Sequence, residues 1–311
     1  MEEAVLRLKP VAEAENVVVN APIDGCFSIF NSPYYSHRKG LAIDVYPSGI
    51  EQGSTAYSPV EGKVKRIYEF KPPKSKFFET PKAEQLIIVE SEVGKDIHIR
   101  LLHIDSKLKV GDVVSVGDEL GSLVRSGFFD FWTAPHIHVE VRKNANLIRA
   151  KGSEPVILIE QGGALKVNRV NEFSNLKVIS VHEEFTLLRS KGGSGIGGVY
   201  GLGCTVGRNL GILDGGISHY PYGGAYLGPF NSVKLGDVVR LGSAIIGKVE
   251  WISMNVAFFK RMPIAVYVNE APVKGISLFL SLTNHGVIKV VPKSPGESPL
   301  QQGNTVRLSF K

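Results

Sequence analysis

The chain of 311 residues is poor in cysteine, has little charge imbalance and lacks long apolar runs. Its two cysteines, Cys26 and Cys204, stand far apart and form no Cys-x-x-Cys pair. This excludes a disulfide-stapled scaffold and leads us to expect a reducing compartment. No apolar stretch approaches the roughly 20 residues needed to span a bilayer, so no membrane span is expected. The opening "MEEAVLRLKPVAEAENVVVN" is acidic and lacks a basic start, a long apolar centre and a small-residue cleavage site. No signal peptide is therefore expected, and a cytoplasmic location follows as the expectation. The net charge of +6 is spread along the chain without a block of like charges, so nucleic acid is not an expected partner. The densest basic stretch, "KPPKSKFFETPK" (Lys71 to Lys82), reads as a solvated loop, with an anionic partner as the alternative. Amphipathic helical periodicity is also missing.

What is present is a succession of short Val-, Ile- and Leu-rich runs punctuated by Gly, Pro, Asp and Asn. Examples are "QLIIVES", "DIHIRLLHI", "HIHVEVR", "LKVISV", "PIAVYV" and "GVIKVVP". Their spacing predicts an all-β fold. "KVGDVVSVGDELGSLV" (Lys109 to Val124) is echoed 125 residues later by "KLGDVVRLGSAIIGKV" (Lys234 to Val249). Each holds a Gly-Asp turn, a Val-rich strand and a second glycine turn, as in compact β-sandwich hybrids. A biotinyl or lipoyl carrier would carry a lysine at the following hairpin tip, where Met254-Asn255 stand instead. The glycine-dense stretch from Lys191 to Gly216 contains a G-x-G-x-x-G at Gly193, Gly195 and Gly198. Glycines continue where a dinucleotide fold needs a helix, so turns and close backbone approach are expected. An extended ligand lying on bare backbone is the alternative.

Among the eight histidines, those at 37, 103, 136 and 138 form a pattern with Asp44. In "TAPHIHVEVR", His136 and His138 are two apart in a strand-like run and share a face. A His-Asp-His set of nitrogen and oxygen donors suits Zn²⁺, and three protein ligands leave a fourth position for water, as in catalytic zinc sites. Such an ion lowers the pKa of its water and polarises a carbonyl. Two further histidines could move protons or stabilise an oxyanion. His98 precedes His103 by five, so alternation turns it to the opposite face. His182, His219 and His285 lie outside the pattern.

From about Ala21 to Pro155 the sequence resembles the lysostaphin/LytM-type zinc endopeptidases. The blocks "HRKGLAIDVYPSGIEQGSTAYSPVEGKV", "IRLLHIDSKLKVGDVVSVGDELGSL" and "APHIHVEVR" occur in that family's order. The resemblance implies one zinc ion held by His37, Asp44 and His138, with His103 and His136 as the paired catalytic histidines. Glu140, two beyond His138, is either an outer partner of the metal site or a plain surface carboxylate. Two departures stand out. The family's first motif is His-x-x-x-Asp, but Gly40 stands four before Asp44, and His37 seven before. Leu101 replaces the usual Tyr ahead of the catalytic His103. The turn before His136 is aromatic: Phe128, Phe129, Phe131 and Trp132 either line a cleft or pack against the C-terminal half.

The resemblance implies a duplicated-hybrid-motif β domain, related to barrel-sandwich folds, over residues 21–157. An arm over 1–20 would precede it, and a β-rich, Gly-rich domain of related hybrid fold, 158–311, would follow. The implied activity is that of a zinc metallohydrolase, an endopeptidase using a zinc-activated water on peptide bonds of glycine-containing or peptidoglycan type. Such substrates are extracytoplasmic, against the expected location. The alternatives are a catalytically altered binding or regulatory protein of the same fold, and a histidine phosphocarrier. The carrier does not need Asp44 and His37.

Overall fold

A computed structural model describes residues 6–47, 54–143, 146–162, 173–190, 192–228, 231–283, 286–298 and 300–311. The protein is all-β: among the described residues the one helix is a single turn, α1 (Tyr35–Arg38). The chain divides into two units. The first comprises Met1–Phe27 and Tyr35–Ile159, and the second Ser28–Tyr34 and Glu160–Lys311.

In the first unit the strands are β1 (Leu8–Ala14), β2 (Val17–Pro22), β3 (Cys26–Ser28), β4 (Ile43–Tyr46), β5 (Thr55–Tyr57), β6 (Gly62–Phe70) and β7 (Glu84–Glu90). They continue as β8 (His98–Leu102), β9 (Ile104–Ser106), β10 (Val113–Val114), β11 (Glu119–Leu123), β12 (Ile137–Arg142) and β13 (Ile157–Leu158). The main sheet runs β10-β6-β7-β8-β12-β4-β3, and two smaller sheets run β5-β11-β9 and β13-β1-β2. The segment expected as an N-terminal arm thus carries β1 and β2, and β1 also pairs with β13 near the end of the unit.

All six residues of β12 are buried. One face, Ile137, Val139 and Val141, joins Ile43, Val45, Ile99 and Leu101 in the core. Burying each such side chain contributes about 1.5–3 kcal/mol. The other face carries His138, Glu140 and Arg142, all buried. The loop that follows β12 returns along this polar face. Its carbonyls at Asn146 and Lys151 accept from Arg142 Nη1 at 2.6 and 3.2 Å, and that of Arg149 accepts from Nη2.

The second unit is built on a twelve-stranded antiparallel sheet whose central strands include Asn209–Ile217, Tyr222–Leu227, Ala244–Ser253, Val256–Arg261, Gly275–Leu278 and Val287–Val291. Its core includes Val206, Leu213, Leu227, Val239, Phe259, Ile276 and Ile288. The G-x-G-x-x-G glycines sit at a β-hairpin, Ser194–Ile196 with Val199–Val206, and no helix follows. Rings of the protein itself stand over several glycines, in the Lys191–Gly216 stretch and beyond it: a Cβ on Gly195 would lie 2.7 Å from the Tyr200 ring, and one on Gly216 2.5 Å from the Tyr220 ring. A Cβ on Gly224 would collide with the Phe30 ring, and one on Gly223 would stand 2.7 Å from Phe259. The hairpin tip after Ser253 holds Met254 at φ 52°, so no lysine stands at a carrier's position. Asp214 anchors Ser28–Asn31 in this unit. Its carboxylate accepts from Ser28 Oγ at 2.5 Å and from the Ile29 amide at 2.6 Å.

The repeated turn is built alike in both units. The Lys109 amide donates to Asp112 Oδ2 at 2.8 Å, and the Lys234 amide to Asp237 Oδ2 at 2.9 Å. Gly111 and Gly236 both take positive φ, 102° and 84°. Each glycine amide then donates to a valine, Val64 in one copy and Val249 in the other. Val64 precedes its turn on β6, whereas Val249 follows its turn in Ala244–Ser253, the second strand after it. The repeat is therefore one local turn inserted into two different strand connectivities.

Candidate metal centre

The candidate residues converge at the β4–β12 ladder. Asp44 stands directly across from His138, and Glu140 across from Arg100 on β8. Period-two alternation puts His138 and Glu140 on one face, and pairing brings Asp44 and Arg100 to them. His37 arrives from α1. Gly40, at φ 68°, ends that turn: its amide donates to the His37 carbonyl at 3.1 Å, and the Leu41 amide to the Ser36 carbonyl at 2.8 Å. These two bonds are those of a glycine-terminated helix end. The glycine that stands four before Asp44 is thus the residue that closes the turn and returns the chain, and the wide His37–Asp44 spacing still brings both side chains together.

The donor atoms are close. His138 Nδ1 lies 2.9 Å from Asp44 Oδ1, His37 Nε2 lies 3.3 Å from Asp44 Oδ1, and the two imidazole nitrogens lie 3.0 Å apart. His37, Asp44 and His138 together form a buried group able to hold a metal ion. Ligand atoms on a tetrahedron about 2.0–2.1 Å from zinc stand about 3.3 Å from one another, close to these separations. His136 Nε2 is also 3.3 Å from Asp44 Oδ1.

Outer hydrogen bonds fix how the imidazoles face. His138 Nε2 is 2.9 Å from Glu140 Oε1, and His136 Nδ1 is 2.8 Å from the Ala134 carbonyl. Each of these contacts requires the proton on that nitrogen. A neutral His138 and a neutral His136 would then point lone pairs at the Asp44 carboxylate, a repulsion that a cation relieves. Without an ion, a proton does the same. Burial alone would lower His138, but the bonds to Asp44 and Glu140 outweigh it and raise its pKa to about 9. Burial opposes ionisation of Asp44 too, yet His136 and His37 hold its pKa well below the usual carboxylate range. The set fits zinc in donor type, spacing and outer support.

Glu140 is buried and is not a surface carboxylate. Besides His138 it accepts from Ser36 Oγ at 3.0 Å, Arg100 Nη1 at 2.8 Å, Arg142 Nη2 at 3.2 Å and Ser153 Oγ. Burial opposes its ionisation, but His138 and Arg100 keep it charged. Through Ser36 it also ties α1 to β12.

His103 sits just past β8 at φ 70°, a conformation rarely taken by a residue with a side chain. Its ring centroid is 5.2 Å from His136 and 5.9 Å from His138. Burial pushes its pKa down to about 4 against the opposing Glu84 hydrogen bond. Phe129 stacks on His136 at 4.8 Å and 20°, and meets His103 edge-on at 4.6 Å. The other aromatics lie off the histidines: Phe131 packs on Phe77 and Trp132, and Phe128 on Phe70. The basic Lys71–Lys82 loop backs this segment, since Phe77 belongs to it and a Cβ on Gly127 would collide with the Pro73 carbonyl. Tyr46 also lies against His136, at 4.9 Å.

His98 is apart from the cluster, with Nε2 2.8 Å from Lys65 Nζ. In the second unit His182 contacts Ser180 and His219 contacts Ser277. His285 lies outside the described residues. Sequence reasoning missed Glu84, Arg100, Ser36 and Arg142. Only Arg142 carried a signal, as the next same-face residue after His136, His138 and Glu140.

The site defines a class: an all-β protein with a buried His-Asp-His group of zinc-type donors and two further histidines beside it. The models of one family match both halves of the chain, the domain of unknown function DUF8155 N-terminal domain over residues 17–158 and its C-terminal domain over 174–311. The chain belongs to that family. No curated protein matches it. Solved structures similar to it include two of lysostaphin. Lysostaphin in solution is 12% identical, with 91% of this chain and 96% of that chain covered and a TM-score of 0.27. The antimicrobial peptidase lysostaphin from Staphylococcus simulans is 13% identical, with 91% and 95% covered and a TM-score of 0.27. At these TM-scores neither likeness bears on the site.

Proposed function

We propose that the first unit is a zinc-dependent metallohydrolase, an endopeptidase acting on glycine-containing or peptidoglycan-type peptides. The observation that carries this reading is the convergence of His37 Nε2, Asp44 Oδ1 and His138 Nδ1 within 2.9–3.3 Å of one another. These three would hold one zinc ion, which when bound would acidify a water molecule and polarise a peptide carbonyl. Glu140 holds His138 in the tautomer whose Nδ1 faces Asp44. His136, its Nδ1 committed to Ala134, offers Nε2 as a base that takes a proton from water and returns it to the leaving amine. His103, whose Nδ1 faces Glu84, shares the proton transfer with His136 through Nε2.

The test is metal content and hydrolysis together. Purified protein is expected to carry one zinc per chain, lose it to a chelator and cleave glycine-rich cross-link peptides only when loaded. His136→Ala should keep the zinc and lose turnover. Protein prepared without chelator that takes up no zinc would sink the reading.

A second reading, a binding or regulatory protein that holds metal without turnover, is favoured by burial. His37, His103, His136 and His138 each expose 8% or less, and Phe129 lies on the pair. Phe129→Ala separates the two. An enzyme closed by its aromatic turn gains turnover, whereas a binding protein keeps zinc and stays inert. The phosphocarrier reading loses ground to the same burial, because phosphoryl transfer needs an accessible imidazole.

A further inference from the structure

We propose that Glu84 is the positioning residue of His103, fixing which imidazole nitrogen carries the proton and seating the aromatic turn on the histidine pair. For its catalytic consequence this rests on the reading of His103 as a reacting group. Glu84 opens β7 and pairs there with Phe70, 3% exposed. Its Oε2 lies 3.3 Å from His103 Nδ1, and its Oε1 accepts from the Gly127 amide at 3.2 Å. One carboxylate therefore holds both the imidazole and the start of the turn that carries Phe129.

The consequence is chemical as well as mechanical. A carboxylate only accepts, so His103 Nδ1 must carry the proton in this contact. Nε2, the nitrogen away from Glu84, is then left bare. His136 reaches the same state by donating Nδ1–H to Ala134. The two histidines thus share one tautomer, held by a carboxylate in one case and by a backbone carbonyl in the other. His103 has the greater need of a side-chain partner, since its backbone sits in a sparsely populated conformation. Gly127 is equally constrained, for only a residue without a side chain fits against the Pro73 carbonyl while donating to Glu84.

The experiment is imidazole ¹⁵N NMR on the full chain, wild type and Glu84→Gln, with zinc content and kcat and KM measured on the same samples. In the wild type His103 is expected as the Nδ1–H tautomer. In Glu84→Gln, whose amide NH₂ can face the ring, His103 should shift toward Nε2–H. Zinc content and KM should hold while kcat falls about 10- to 100-fold, the usual loss when an outer partner is removed. A wild-type Nε2–H tautomer, an unchanged tautomer in the variant, or loss of zinc from it would each overturn the proposal. If Glu84→Gln does not fold, the wild-type spectrum still decides. If no peptide is cleaved by any form, the hydrolase reading fails while the tautomer remains decisive for Glu84.

Discussion

The two units use the same turn and bury opposite things. Lys109–Asp112 and Lys234–Asp237 match in hydrogen bonds and glycine conformation, yet the first unit hides charge where the second hides rings over glycine. On the first unit's β12, His138, Glu140 and Arg142 share a face that the following loop seals. On the second unit's sheet, Gly223, Gly224 and Gly247 admit Phe30 and Phe259. A shared local motif therefore says how a hairpin starts, while chemistry is decided by what the neighbouring strand faces carry.

The largest expected contrast is in metal binding. Asp44→Ala should weaken zinc binding by more than about 100-fold, exceeding the loss typical of an outer partner. His219→Ala, in the second unit, should leave zinc stoichiometry unchanged. Metal analysis after dialysis reads both. Equal effects would mean that the ion is not held by the cluster of the first unit.

Stability should divide the units next. Glu140→Ala leaves Arg100 and Arg142 buried without their carboxylate, which costs about 3–5 kcal/mol for a broken buried pair. Each unit contains one tryptophan, Trp132 in the first and Trp251 in the second. Variants with only one of them report denaturant unfolding of one unit at a time. The Trp132 signal should shift strongly in Glu140→Ala and the Trp251 signal little.

The all-β class and the shared face of His136, His138 and Glu140 were legible because both rest on short-range rules, whereas His37, Asp44 and His103 were singled out by the order of motifs along the chain and the resemblance built on it. Period-two alternation fixes which residues of "PHIHVEVR" share a face, and strand-like runs betray sheets. Glu84 was not legible. It lies 19 residues before His103 and meets it only because β7 pairs with β8. Arg100 is hidden for the same reason, since its partner Glu140 comes from a pairing of strands 40 residues apart. The seven-residue gap before Asp44 looked like a defect until the Gly40-terminated turn accounted for it. The glycine-dense stretch was ambiguous because a sequence cannot tell whether a ligand or the protein's own ring lies over a glycine.

In the metal-free protein pH should separate the units further. His138 has a folded pKa raised to about 9, so the folded state binds more protons than the unfolded chain between about 6.5 and 9. Its stabilisation is complete below 6.5 and lost as pH rises through 9. The first unit should therefore weaken from pH 7 to 9 by at most about 1.4 kcal/mol per unit. His219 behaves oppositely. Burial, reinforced by Lys289 and Arg261, keeps it neutral well below its usual range. Its stabilisation is present above about 6.5 and lost as pH falls below that, with a slope of at most about 1.4 kcal/mol per unit, the limit for one proton. Denaturant midpoints at pH 5.5, 7 and 9 should move the Trp132 transition on the alkaline side and the Trp251 transition on the acid side. A Trp132 midpoint unchanged up to pH 9 would mean that His138 is not held protonated by Asp44 and Glu140.

The smallest effect tests the likeness itself. Asp112→Ala and Asp237→Ala each remove one side-chain acceptor from a backbone amide at the turn, a loss of about 1 kcal/mol. If the turn is an autonomous local unit, the two losses should agree, each read by the tryptophan of its own unit. The strand it pairs with precedes it in the first unit and follows it in the second, so the loop closed by the turn differs greatly in length. Chain length enters loop closure only logarithmically. It acts on the folded ensemble of wild type and variant alike, and so should cancel from the difference. A loss confined to one unit would show that the turn draws its stability from its strand partner, Val64 or Val249, and that the two copies share a sequence pattern without sharing an energetic role.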